Sequence, residues 1–155
     1  MSRPKAIGTA AETAVVRCLN ANGWPHAERR ALRGRDDAGD ITGTPGICWE
    51  LKAGDAAHRA SDTLIDGWMR DTELERGNAG ADLGVLVLRR KGKGDPGDWW
   101  AYMWATDFAA LVINGEHGAS GGDDPDDFPV RMRLTDLTAR LRAAGYGDAT
   151  PEGTA

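Results

Sequence analysis

Ala38-Gly39-Asp40-Ile41-Thr42-Gly43-Thr44-Pro45-Gly46-Ile47-Cys48-Trp49-Glu50-Leu51-Lys52-Ala53 is the stretch on which the architecture turns. Two strand patterns, Gly39–Thr44 and Ile47–Ala53, flank Pro45-Gly46, a dipeptide suited to a tight turn. Side chains alternate along a strand, so Ile47, Trp49 and Leu51 face one way and Cys48, Glu50 and Lys52 the other. The first face is apolar and belongs to a core. The second presents a carboxylate and an ammonium side by side. Asp40 lies ten residues before Glu50, across the turn, where strand pairing brings its carboxylate toward Glu50.

Two close carboxylates repel each other, and a hard divalent cation relieves the repulsion through oxygen ligands. Mg2+ or Mn2+ held by one or two carboxylates keeps room for waters and phosphate oxygens. Asp40 and Glu50 are the candidate metal ligands, with the main-chain carbonyl of Leu51 as a further one. Lys52 can orient or deprotonate a water, or stabilise charge on a phosphate. Glu-x-Lys on a strand is also the pattern of an ordinary solvent-facing ion pair, which is common and weak. Three features favour a site: the apolar opposite face, the Gly39-Asp40 pair upstream, and Glu12 at the margin of an apolar helical stripe. Asp36 and Asp37 compete with Asp40. On a regular strand Asp36 shares its side and Asp37 does not, while Gly39 permits close approach and Ile41 sits in the core, which favours Asp40.

Outward from this hairpin, Ile7, Ala11, Val15, Cys18 and Leu19 predict a helix over Ile7–Asn22 that stops at Gly23. His26–Arg33 reads as a first strand. A helix from Asp62 to about Arg76 is expected after the hairpin, capped by Ser61 and ended by Gly77-Asn78. Its buried stripe is Leu64, Ile65, Trp68, Met69 and Thr72. Leu83–Leu88 is a continuous apolar run, the pattern of a strand covered on both faces. Trp99–Trp104 reads as an aromatic strand, followed by a short helix capped at Thr106 or Asp107 and running to Ile113. A strand at Val130–Leu134 and a helix at Asp136–Ala144 follow. The fold class is α/β: one domain with a central mixed sheet flanked by helices, core order αβββαβ. Residues 1–114 form the core, 115–128 an acidic flexible loop, 129–146 a strand and helix packed on the core, and 147–155 a frayed tail.

The 155 residues carry a net charge of −5, are 41% hydrophobic, and include no apolar run near the roughly 18 residues that span a membrane. No apolar stretch follows Arg3 and Lys5, so no leader is read and an intracellular, cytoplasmic protein is expected. The charge is unevenly spread. Residues 1–35 hold seven Lys/Arg against Glu12 and Glu28, whereas residues 107–128 hold six acids and no Lys or Arg. A basic face can therefore exist on an acidic protein. Arg29, Arg30, Arg33 and Arg35 precede the acidic hairpin, and Arg89, Arg90, Lys91 and Lys93 end the fourth strand; all eight are candidate DNA-backbone contacts. Single arginines of this kind are otherwise ordinary solvated charge. Cys18 and Cys48 match no zinc spacing and read as buried thiols, and His26, His58 and His117 have no ligand spacing. Gly92-Lys93-Gly94 lacks the remainder of a phosphate-binding loop. Of the six tryptophans, Trp49 and Trp68 read as core, and one of Trp99 and Trp100 must point away from the other.

Glu12, Gly39-Asp40-Ile41 and Trp49-Glu50-Leu51-Lys52, in this order, resemble the PD-(D/E)XK nuclease superfamily, and within it the Holliday junction resolvases of actinobacterial phages. The likeness runs over about two thirds of the chain. Gly39 stands where the motif's name has proline, and nothing after Ile113 contributes. The resemblance implies a restriction-endonuclease-like core, catalytic Glu12, Asp40, Glu50 and Lys52, Mg2+ or Mn2+ as cofactor, and hydrolysis of phosphodiesters in branched DNA. A four-way junction has two-fold symmetry, which implies a homodimer; a phage origin would place the protein in a bacterial host cell. An exonuclease or restriction-type nuclease on the same core, and a non-catalytic DNA-binding module, are the alternatives. A factor that contacts another protein through residues 115–127 is a third.

Overall fold

The computed structural model describes residues 2–31, 37–113 and 124–148. Arg33, Arg35, Asp36 and His117, named above, lie outside them. The elements are α1 (Arg3–Ala21), β1 (Glu28–Arg29), β2 (Ile41–Thr42), β3 (Ile47–Lys52), α2 (Asp55–His58), α3 (Asp62–Ala79), β4 (Leu83–Leu88), β5 (Trp100–Trp104), α4 (Ala105–Ile113), β6 (Pro129–Arg133) and α5 (Leu134–Ala143). Four strands form one sheet in the order β3-β4-β5-β6. The β3–β4 pair is parallel, joined through α3, and the other two pairs are antiparallel, so the sheet is mixed.

Strand alternation splits the core into two layers. Trp49, Val85, Val87, Ala101 and Met103 point to the face covered by Ala11, Val15 and Leu19 of α1 and by Leu134, Leu137 and Leu141 of α5. Leu86, Leu88, Tyr102 and Trp104 point to the other face, where Ile65 and Met69 of α3 meet them. Every residue of β4 is buried, as its unbroken apolar run requires. The chain is therefore a single α/β domain with helices on both faces of a mixed sheet. Among the described residues no helix is long and apolar enough to cross a membrane.

Several boundaries differ from the sequence expectation. Among the described residues, the first two strands span two residues each and pair with one another, Glu28 with Thr42 and Arg29 with Ile41. His26 falls in a turn. Pro45-Gly46 does make the expected turn, with the Ile47 amide donating to the Thr44 carbonyl, but β2 joins β3 without a regular ladder. Helix α3 runs through Gly77-Asn78 and stops at Gly80, whose φ of +62° closes it. Its N-terminus is as expected, with the Ser61 hydroxyl accepting from the Leu64 amide. Two boundaries near the C-terminus shift by a residue or two, with Leu134 opening α5 instead of closing β6. The tail is tied down as far as Asp148, whose amide donates to Gly23, and the Tyr146 hydroxyl donates to Asp82. At the end of the acidic segment, Asp127 accepts from the Thr106 amide and so holds the start of α4; Asp107, one of the two expected caps, is instead buried in its first turn.

Gly39 is the glycine that matters most to the site. Its φ is +93°, and a Cβ there would sit 2.8 Å from both Cys48 Sγ and the Trp49 carbonyl oxygen. Close approach of the two segments lets the Asp40 amide donate to that same carbonyl at 2.8 Å. Gly39→Ala combines left-handed strain with a backbone clash and is expected to cost about 1–3 kcal/mol. A urea unfolding midpoint unchanged from the native one would refute this account of position 39.

Candidate functional site

Glu50 and Lys52 leave β3 on the α3 face, side by side as strand alternation demands. Glu50 is only 7% exposed. Its Oε1 meets Lys52 Nζ at 3.1 Å. Lys52 also lies 5.7 Å from the centre of the Trp68 ring, which is half-buried instead of fully in the core. Burial pulls the Lys52 ammonium down, but Glu50, Asp40 and Glu75 outweigh it and hold the group above the ordinary lysine value. Lys52 is thus a fixed positive charge, not a free base, while these acids are unscreened.

Asp40 approaches from beyond the free edge of β3. Its Oδ2 accepts the Leu51 amide at 2.8 Å. The Lys52 carbonyl bonds toward β4, so the Leu51 carbonyl leaves the strand on the opposite edge, beside its own amide and Asp40. Burial first, then Glu50, raises the Asp40 carboxyl to about 7, with the Leu51 amide opposing and Glu12 and Asp37 adding. Asp40 therefore feels Glu50, Glu12 and Asp37 together. Glu12, on α1, is held by Arg29, whose Nε donates to Oε2 at 2.8 Å. Arg29 is consequently engaged in positioning Glu12, while Arg30 is exposed.

The residue that sequence reasoning missed is Glu75. It lies on α3, 7% exposed, and faces Glu50. Among the described residues, Asp37, Glu50 and Glu75 each bring a carboxylate oxygen within 4.8 Å of the other two. Asp40 stands beside this group. Asp37, left open by the sequence beside Asp40, thus also brings a carboxylate to Glu50, while Asp40 feels Glu50 as well. Asp37 does so because residues before Ile41 are not regular strand. Its own carboxylate accepts the Gly39 amide at 3.0 Å, an Asx-type turn that cancels the alternation argument. The Asp37 carbonyl also accepts from Asn78 at the end of α3. A signal for Glu75 did exist, since it continues the Trp68–Thr72 stripe by one helical step.

The arrangement suits a hard cation. Glu50 Oε2 and Glu75 Oε2 are buried with no donor from the backbone or from a basic or hydroxyl side chain among the described residues, and the two carboxyl groups are hydrogen-bonded to each other. Buried carboxylate oxygens without donors are costly unless a proton or a cation lies between them. Burial and Glu50 together push Glu75 far above the usual carboxylate range. The available donors are carboxylate and main-chain oxygens, the set Mg2+ and Mn2+ prefer. Cys48, buried nearby, is pushed up to about 12 by burial, then by Glu75 and Glu50, and stays a thiol. Cys18, expected to be buried, is half-buried.

An open groove of about 960 Å3 is lined by the segments that follow β3 and β4 and by the start of α1. Ala53 and Gly54, which follow Lys52 in the chain, form part of its wall, while Asp40, Glu50, Lys52 and Glu75 are not among its lining residues. Arg3, His58, Arg89, Arg90, Lys91 and Lys93 line it, against Asp55 as the one acid among its described residues. The two arginines are held by the paired tryptophans. Arg89 lies 5.4 Å from the Trp99 ring centre, and Arg90 lies 3.8 Å from that of Trp100 while donating to the Asp98 carbonyl. Arg131 sits 4.0 Å from the same Trp100 ring, which is half-buried, whereas Trp99 is buried. Stacking fixes the guanidinium planes. Compared with known protein families, curated proteins and solved structures, the chain gives no significant match.

Proposed function

We propose that this protein is a divalent-cation-dependent endodeoxyribonuclease with a restriction-endonuclease-like core of the PD-(D/E)XK kind, acting on branched DNA. The observation that supports the reading is the Lys52 ammonium 3.1 Å from Glu50, on a strand whose next residues, Ala53 and Gly54, line a basic groove, together with Asp40, whose carboxyl burial and Glu50 raise. Asp40, Glu50 and the Leu51 carbonyl would hold the cation. When bound, Mg2+ or Mn2+ supplies charge stabilisation at the phosphate and lowers the pKa of an attacking water.

The chain's own residues do the rest. Arg89, Arg90, Lys91 and Lys93 draw in the phosphodiester backbone and set its register along the groove. Lys52 faces the scissile phosphate with a positive charge that needs no reorganisation as the charge on the phosphate grows. Glu12, fixed by Arg29, adds negative potential at Asp40 from the α1 side. Junction preference and a homodimer follow from the family resemblance. The test is incubation with supercoiled plasmid and with a synthetic four-way junction, in Mg2+ or in EDTA. Cleavage confined to the Mg2+ samples and favouring the junction supports the proposal; wild-type protein that binds the junction and never cuts it would leave a DNA-binding module.

Backbone contacts are sequence-independent, which gives a separate expectation for the groove. Replacing both Arg89 and Arg90 by alanine should weaken binding equally on unrelated sequences and lower the slope of log affinity against log salt by about 2, roughly one per lost phosphate contact. A salt slope identical to that of the native protein would remove these arginines from the interface.

A further inference from the structure

We infer that Arg90 and Arg131, held on the two faces of the Trp100 ring, form a two-point site for the phosphates of a nucleic-acid strand and carry the basic groove on to the β6 edge of the sheet. Two independent observations meet here. The first is the stack: the Arg90 guanidinium lies 3.8 Å and the Arg131 guanidinium 4.0 Å from the centre of the same ring. One face of an indole has no room for two like charges at such distances, so the arginines take opposite faces. The second is that, among the described residues, neither arginine makes an ion pair, whereas Arg29, Arg76 and Arg133 each hold a carboxylate.

Strand order produces the stack. Trp100 pairs with Leu88 of β4 on one side and with Arg133 of β6 on the other. Arg90 follows Leu88 by two residues and Arg131 precedes Arg133 by two, so each reaches the ring from its own side. Arg90 lines the groove and donates to the Asp98 carbonyl, while Arg131 is exposed on β6, the last strand of the sheet. Asp62 and Asp66 stand across a depression from Arg131 and lower the potential there, so the site depends on both arginines together. The ring between two cations offsets part of their repulsion, and a phosphate on each offsets more. The indole fills the space between the guanidinium groups, which favours a polymer offering one phosphate after another over a single phosphate. The inference rests on the DNA-binding part of the proposed function; cleavage is not needed to measure it.

The experiment is fluorescence anisotropy of a labelled synthetic four-way junction, titrated with the full-length chain in EDTA over a series of KCl concentrations. Arg131→Gln is expected to bind about three- to tenfold more weakly and to lower the slope of log affinity against log salt by about 1, the share of one phosphate contact. Trp100→Leu, which keeps both charges, should also weaken binding, and Trp100→Tyr, which restores an aromatic face, should recover most of that loss. Arg131→Gln, at an exposed position, keeps the test open should a half-buried Trp100 variant fail to fold. Inorganic phosphate at matched ionic strength should not displace the junction. Native affinity and native slope in Arg131→Gln overturn this inference and leave the proposed nuclease standing. A native chain that binds no junction overturns both. Equal losses in Trp100→Leu and Trp100→Tyr, or displacement by inorganic phosphate, overturn the inference as well.

Discussion

Lys52→Ala is expected to leave a protein that binds branched DNA and cuts it about a hundredfold to ten-thousandfold more slowly, the range that a single positioned acid, base or charge contributes. The expectation follows from where the ammonium is held. Lys52 is tied to Glu50 at 3.1 Å and lies under the Trp68 ring, so its position is set before substrate arrives. Glu50, Asp40 and Glu75 keep it charged despite burial. On the nuclease proposal, its removal would take a preorganised charge from the reacting phosphate and leave the groove arginines in place. Lys52→Arg keeps the charge but spreads it over a planar fork that does not fit the ammonium's place, so it should not restore the rate. Asp40→Asn should lower cleavage as severely by a different route, through loss of a cation ligand. Single-turnover cleavage and gel-shift binding, measured on the same preparations with near-ultraviolet circular dichroism as a folding check, separate these effects. A Lys52→Ala enzyme that cuts at the native rate would end the nuclease proposal in its present form.

How much of this was legible beforehand depends on which force dominated each segment. β4 and β5 were readable because uninterrupted apolar runs leave no choice but burial, and Ser61 announced α3 because an N-cap hydroxyl is a local device. The pairing of Glu50 with Lys52 followed from alternation alone. Glu75 was not foreseen, because acids on a helix are normally solvated and its place on the Trp68–Thr72 stripe, which Glu73 does not share, was outweighed by its charge. Only the tertiary fact that α3 covers the Glu50 face of β3 buries it. Asp37 was misjudged for the opposite reason. A strand period was imposed on residues 37–40, where an Asx-type turn and the positive φ of Gly39 decide the directions of the side chains. The overlong first strand has the same origin. His26–Arg33 alternates well enough, but β1 has only the two residues of β2 to pair with. Arg29 shows how a charge assigned to a ligand from sequence can be retained by the protein, since its partner Glu12 is distant in sequence and adjacent in space.

Cation binding and folding stability should both depend on pH, with opposite signs. An unfolded aspartate titrates near 3.9, whereas burial and the neighbouring Glu50 raise folded Asp40 to about 7. Between those values the folded state holds a proton that the unfolded state has released, so stability falls as pH rises from about 4 to about 7. Glu75, raised in the same direction by burial and Glu50, extends the loss to higher pH. Metal-free protein is thus expected to melt at progressively lower temperature across this window. A divalent cation reverses the effect because it needs the deprotonated carboxylates. With one proton of pKa about 7 displaced, affinity should rise roughly thirtyfold between pH 5.5 and pH 8, equivalent to about 2 kcal/mol of added stabilisation at a fixed sub-saturating concentration near the low-pH dissociation constant. Thermal melts with and without Mg2+ or Mn2+ at the two pH values test this directly, and Asp40→Asn should flatten the difference. An equal cation-induced shift at pH 5.5 and pH 8 would mean that the cation binds away from Asp40, and with that the chemical centre proposed here would have to move.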